Sequence, residues 1–340
     1  MNLKDEIERV ILSEVGKVKA KVGVGFKDLK SGLEVYHNAD ERFLTASVFK
    51  IYVLIELYNQ VINGKISLNN RYTVKLYDKS PGSGLLQYLD VGLQLTVRDL
   101  AKLMMMISDN TATDILMEIL GKEKINETIR RMGLKNTLVA YNVKEMIFGL
   151  YELRDESKLS ELLEMLDRKV KFEGDIKSFI INLYYERQKM GLTIHNLKIQ
   201  SKIREVVSLT GETLRDYSFN DVSSPRDMVK TLSLIYEKKI LTPKACDEIL
   251  GIMAYCQTGA RRLKRYLPNN VIVAHKTGTI PGVVNDVGII MTENKDYVLA
   301  VFVNELDYED QSYVEVGESI IADISKGIYE IMISKQHNIN

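Results

Sequence analysis

A chain of 340 residues with 46 Lys plus Arg against 46 Asp plus Glu has no net formal charge, so composition gives no support to a nucleic-acid role. That length buries a large core and excludes a disulfide-stapled miniprotein. The two cysteines, Cys246 and Cys256, have no CxxC spacing and no adjacent histidine, which signals neither a metal nor a redox site and leaves buried free thiols as the expectation.

The N-terminal MNLKDEIERVILSEVG puts charge into every turn and lacks the continuous apolar run of a secretory leader. A cytoplasmic location is expected for the chain as it stands, and an extracellular one if a leader has been removed. Ile7, Val10, Ile11 and Val15 recur at helical spacing and predict an amphipathic helix over residues 4–18. Residues 22–27 and 33–36 read as strands joined by a turn in which Gly32 supplies positive φ. Residues 48–61 form the most apolar helix, interrupted by Lys50 and Glu56. It is shorter than the roughly 20 residues that span a bilayer, so it belongs in the core and no transmembrane segment is expected.

Thr96 and Asp99 form a capping box ahead of a helix over Val97–Met106, and a further helix over 112–120 stops before Gly121. The run Leu103-Met104-Met105-Met106-Ile107 reads as core packing. Ser224-Pro225 and Thr242-Pro243 each place a cap before a proline at the first helical position, opening helices to Tyr236 and about Met253. Strand character returns at 271–274, 287–291 and 297–303, before a last amphipathic helix over about 313–333. Two early and three late strands around a helical block predict an α/β fold: an antiparallel five-stranded sheet flanked by helices plus an all-helical subdomain. The expectation is one catalytic domain, with a sheet subdomain at about 1–45 and 257–340 and a helical one at about 46–256.

Three short motifs carry chemistry. Ser47-Val48-Phe49-Lys50 puts a hydroxyl at a helix N-terminus and an amine one turn later on the same face. A lysine desolvated among apolar neighbours loses basicity until it can deprotonate a serine; a capping serine with a snorkelling lysine would produce the same four residues. Ser108-Asp109-Asn110 falls at a helix-to-helix junction and reads either as an ordinary capping turn or as a site element. In the second reading Ser108 shuttles a proton between base and leaving nitrogen, Asn110 hydrogen-bonds the substrate amide, and Asp109 is structural. Lys276-Thr277-Gly278 is expected to end the strand that begins at 271. It is either a polar terminus or a place where Lys276 and Thr277 hold an anionic carboxylate and Gly278 admits close backbone approach. There Thr279 would offer an N–H that makes an oxyanion hole with that of Ser47.

Each motif occurs once, in this order, and the set resembles that of class A β-lactamases and penicillin-binding proteins. Leu95-Thr96-Val97-Arg98-Asp99-Leu100 and Leu263-Lys264-Arg265-Tyr266-Leu267-Pro268 are similar to the same family, and the likeness covers roughly residues 20–140 and 217–335. It implies an α/β sandwich facing a helical subdomain with the site between them, a serine hydrolase forming an acyl-enzyme at Ser47, a small-molecule or peptide substrate, and no cofactor or metal.

Three departures bear on function. Ser47 and Ser108 are 61 positions apart, as the resemblance implies, but Ser108 and Lys276 are 168 apart, so a charged helical insertion is expected at about 143–216. The Glu-x-x-Leu-Asn pattern with which class A enzymes activate the deacylating water is absent, and Glu212 is the nearest candidate by position. Val283-Val284-Asn285-Asp286-Val287-Gly288 also lacks the arginine that often serves the substrate carboxylate. A β-lactamase, a D-alanyl peptidase or esterase, and a slowly acylating β-lactam sensor therefore all stay open; oligomeric state is not encoded in any motif.

Overall fold

The strand Tyr297–Asn304 is buried at every position in the computed structural model of the chain, because it is the middle member of a five-stranded antiparallel sheet covered on both faces. The structure describes residues 2–147, 217, 220–293 and 295–334. In chain order the strands are β1 (Lys21–Asp28), β2 (Glu34–His37), β3 (Phe43–Leu44), β4 (Arg71–Thr73), β5 (Gln94–Thr96), β6 (Val222–Ser223), β7 (Ile272–Ile280), β8 (Val283–Met291) and β9 (Tyr297–Asn304). The large sheet runs β2-β1-β9-β8-β7, and β3 with β6 and β4 with β5 make two short ribbons.

Alternation along β9 divides the core in two, as a period of two requires. Val298, Ala300 and Phe302 join a large cluster with the helical side of the molecule. Leu299, Val301 and Val303 face the other way and pack with Ile7 and Ile11 of α1 (Leu3–Val15) and Ile321 and Ile324 of the C-terminal helix. Those terminal helices cover one face of the sheet. On the other face α7 (Pro225–Tyr236) packs on β1, β8 and β9 and α8 (Pro243–Ala254) on β7, and beyond them α2 (Lys50–Ile62), α3 (Val97–Met106), α4 (Asn110–Leu120), α5 (Lys122–Arg131) and α6 (Val143–Ile147) extend the same core; the C-terminal helix is α9 (Tyr313–Ser334). This is the predicted architecture.

Local signals account for the element ends. Ser224 and Thr242 accept from the amides of Asp227 and Ala245 ahead of their prolines, and the Thr96–Asp99 capping box forms. Gly32 sits at φ 75° in the first hairpin. Met104 and Met105 are fully buried core residues. The late strands are longer than their apolar runs: pairing of β7 with β8 continues through Thr277 with Asp286 and Gly278 with Asn285 to Ile280 with Val283. Lys276-Thr277-Gly278 therefore lies inside β7 and does not end it, since ladder hydrogen bonds use the backbone and are indifferent to side-chain polarity. Of the insertion expected at 143–216, only α6 belongs to the described residues. Among those residues, no helix is long and apolar enough to cross a membrane.

Candidate active site

Ser47 is held by the sheet. Leu44 N donates to Asn304 Oδ1 at 2.7 Å, and Asn285 Nδ2 donates to the carbonyls of Leu44 and Thr45 at 2.8 and 3.1 Å. On the other side Thr45 N and Oγ1 both donate to the Asp221 carbonyl, at 2.9 and 3.0 Å. The chain then passes through Ala46 at φ 45°, a conformation that costs a non-glycine residue free energy and persists where the surroundings enforce it. A 3-10 turn over Ala46–Phe49 follows, and α2 begins at Lys50. Three residues per 3-10 turn align i with i+3, so Ser47 and Lys50 share a face as expected. Ser47 is half-buried between buried neighbours, leaving it partly open to solvent. Gly278 of β7 packs against the Thr45 carbonyl, Ala46 Cβ and Ser47 N, with no room for a side chain.

Lys50 is 0% exposed. Its Nζ donates to the Ser108 carbonyl at 2.8 Å, to Ser108 Oγ at 3.1 Å and to Asn110 Oδ1 at 2.8 Å. Lys276, equally buried, sends its Nζ to the same Ser108 Oγ at 3.0 Å and to the Thr277 carbonyl at 2.9 Å. Five of the predicted residues, Lys50, Ser108, Asn110, Lys276 and Thr277, are thus joined in one hydrogen-bonded group. Burial, and secondarily the neighbouring Lys276, hold the Lys50 amine well below its ordinary value. Burial also brings Lys276 down, to about 8, with Cys256 and Asp286 opposing that fall. The Ser108 hydroxyl, able to donate as well as accept, is the member of the group that can reverse its role between the two amines.

Asp109 is structural, as expected. Its carboxylate caps α4 at Ala112 N (2.9 Å) and holds Leu85 N and Leu86 N of the facing loop at 2.7 and 2.9 Å, which supports Ser108 at φ 58°. Asn110 Nδ2 donates to the Pro81 carbonyl at 2.7 Å. Its amide therefore ties the lysine to that loop.

Thr277 and Thr279 sit further along β7. Thr277 Oγ1 pairs with Thr258 Oγ1 at 2.6 Å, and the exposed Thr279 receives Arg262 Nη2 on its Oγ1 at 2.7 Å. Arg262 Nη1 also donates to the carbonyls of Gly278 and Asn285 at 3.1 and 2.8 Å, with Glu318 beside Nε. The strand turn lacks an arginine, but the loop before β7 brings one to the same strand. Sequence reasoning missed Asn285, Asn304, Thr258 and Arg262. Asn285 and Asn304 had a signal, a polar residue in an apolar strand run; Thr258 and Arg262 had none, because loop geometry alone brings them to β7. Glu212 lies outside the described residues.

The fold and this lysine–serine–lysine cluster define a serine β-lactamase-like hydrolase. Residues 2–332 match the Beta-lactamase enzyme family, and the chain belongs to it; members are serine hydrolases acting on amides. A beta-lactamase of Bacteroides uniformis is 25% identical over 96% of this chain and 91% of its own length. The extended-spectrum beta-lactamase PER-1 of Pseudomonas aeruginosa is 24% identical over 98% of this chain and 88% of its own. Among solved structures, a beta-lactamase from Sphaerobacter thermophilus superposes with TM-score 0.71 at 24% identity, covering 97% of each chain. PBP-A superposes with TM-score 0.70 at 23% identity, over 97% of this chain and 96% of that one.

Proposed function

We propose that the protein cleaves β-lactams or related amides through an acyl-enzyme at Ser47. The observation carrying this reading is the single hydroxyl, Ser108 Oγ, within hydrogen-bonding distance of both Lys50 and Lys276. Neutral Lys50 takes the Ser47 proton as Oγ attacks the amide carbonyl. The backbone N–H groups of Ser47 and Thr279 receive the developing oxyanion. The proton then passes from Lys50 through Ser108 to the leaving nitrogen as the C–N bond breaks, and an ester on Ser47 remains. Lys276 and Thr277 hold the anionic group of the substrate, with the Arg262 guanidinium adding positive charge to the same strand.

Hydrolysis of that ester needs a base for water. The missing Glu-x-x-Leu-Asn pattern favours slow release, the behaviour of a peptidase or a sensor, and Glu212 is the candidate that would restore turnover. Intact-mass measurements over time with a penicillin, beside Ser47→Ala, test the whole reading. A persistent gain on the unmodified chain alone is expected. A transient gain with continuing consumption would make the protein a working β-lactamase, and a gain on Ser47→Ala would overturn the assignment of the nucleophile.

A further inference from the structure

Behind β7 lies a second group of polar residues that the scheme above leaves unused. His275 and Thr277, two positions apart, share one face of the strand, while Lys276 takes the other. Asp286 of β8 stands opposite Thr277 in register, a diagonal neighbour within reach of His275. The His275 Nδ1 lies 2.8 and 3.1 Å from the two Asp286 carboxylate oxygens, and both side chains are fully buried. Nε2, the other ring nitrogen, has no hydrogen-bond partner among the described residues; the group acting on the ring from elsewhere is the Cys256 thiol, only 4% exposed. Cys256 Sγ in turn lies 3.2 Å from Thr258 Oγ1, which is 2.6 Å from Thr277 Oγ1. Gly259, at φ 77°, closes the group: a Cβ there would press on Thr277 and come within 3.3 Å of Asp286 Oδ2 and 3.5 Å of His275 Cε1.

We propose that Cys256, His275 and Asp286 are positioning residues for the amide-cleaving site. They fix the Thr277 hydroxyl through Thr258, and they supply the negative field that keeps Lys276 charged for an anionic substrate group. The proposal rests on the acyl-enzyme reading for its substrate and on the Cys256–Thr258–Thr277 and His275–Asp286 contacts for its geometry. Burial disfavours charge on both Cys256 and His275, yet Asp286 raises the imidazole and the imidazole lowers the thiol, so each favours the charged form of the other. Two further cations act near Cys256: Lys276 on β7, and Lys264 on the preceding loop, whose Nζ donates to the Cys256 carbonyl at 3.2 Å. Cys256 and Asp286 act against burial and Arg262 in the balance at Lys276.

Two measurements on the full chain decide it. In the first, acylation rates are followed from pH 6 to 9 with benzylpenicillin and with its methyl ester, whose carboxyl is uncharged. Cys256→Ala is expected to slow the anionic substrate by about tenfold, to move the alkaline limb to lower pH, and to leave the ester unaffected, whereas a packing defect would slow both alike. In the second, thiolate absorbance of Cys246→Ser is titrated against Cys246→Ser/Cys256→Ser and Cys246→Ser/His275→Asn. The expected thiolate persists at least about one pH unit below the ordinary thiol value and is lost with His275→Asn. An ordinary thiol titration, or equal losses with both substrates, overturns the proposal. If neither substrate acylates the unmodified chain, it is the acyl-enzyme reading that fails, and the thiol titration still decides the network.

Discussion

Lys50 and Lys276, from the start of a helix and the interior of an edge strand, converge on one atom, Ser108 Oγ, at 3.1 and 3.0 Å. Burial shifts both amines downward, and the charge on Lys276 lowers Lys50 further. The scheme assigns them opposite states, with Lys50 neutral as base and Lys276 charged as anion anchor. Acylation by an anionic penicillin should therefore rise with pH as Lys50 loses its proton and fall as Lys276 loses its own at about 8. Stopped-flow rates across pH 5–10 check this; a rate still climbing above pH 9 would remove Lys276 from the role of charged anchor.

The same shift couples to stability. A lysine lowered to about 8 in the folded chain binds fewer protons than its unfolded counterpart between pH 8 and 10.5. Its contribution is complete above the unfolded value and is lost as pH falls through about 8. The stability of the unmodified chain relative to Lys276→Met should thus increase by up to about 3 kcal/mol across that window. Urea unfolding of both at several pH values measures the difference; a flat difference would mean an unshifted lysine.

Asn285 reaches across from β8 to hold the Leu44 and Thr45 carbonyls, and its Oδ1 accepts from Val303 N at 3.2 Å and Asn304 Nδ2 at 3.1 Å. Asn285→Ala would leave these buried groups without partners, at a cost of about 2–3 kcal/mol in thermal or chemical unfolding. Because the same bonds brace Ala46 in its left-handed conformation, acylation of Ser47 should fall by more than the unfolded fraction explains. Equal stability with full activity would show that Asn304 alone is sufficient.

Gly278→Ala places a methyl against the Thr45 carbonyl and close to Ser47 N. The 3-10 turn must move away from β7, and with it the N–H proposed for the oxyanion hole. Acylation is expected to drop by about a hundredfold, since displacement of reacting groups by an ångström has effects of that order. Circular dichroism would stay near that of the unmodified chain, and retained acylation would place the oxyanion donors elsewhere.

What the sequence by itself determined is local. Ser47-x-x-Lys50 and Ser108-Asp109-Asn110 sit at helix starts because their spacing and capping chemistry act over one turn, and the continuous apolar run at 297–303 named a strand. Only the tertiary structure decided which of these groups meet. Lys50 and Lys276 reach Ser108 across separations of 58 and 168 residues, and that meeting depends on strand order and β7–β8 register, which no local propensity encodes. Arg262, Thr258, Asn285, and the Cys256 and Asp286 partners of His275 came from the same source: a loop or neighbouring strand delivers each to β7 or to the Ser47 turn. Their spacing along the chain carries no period, so only the folded sheet brings them together.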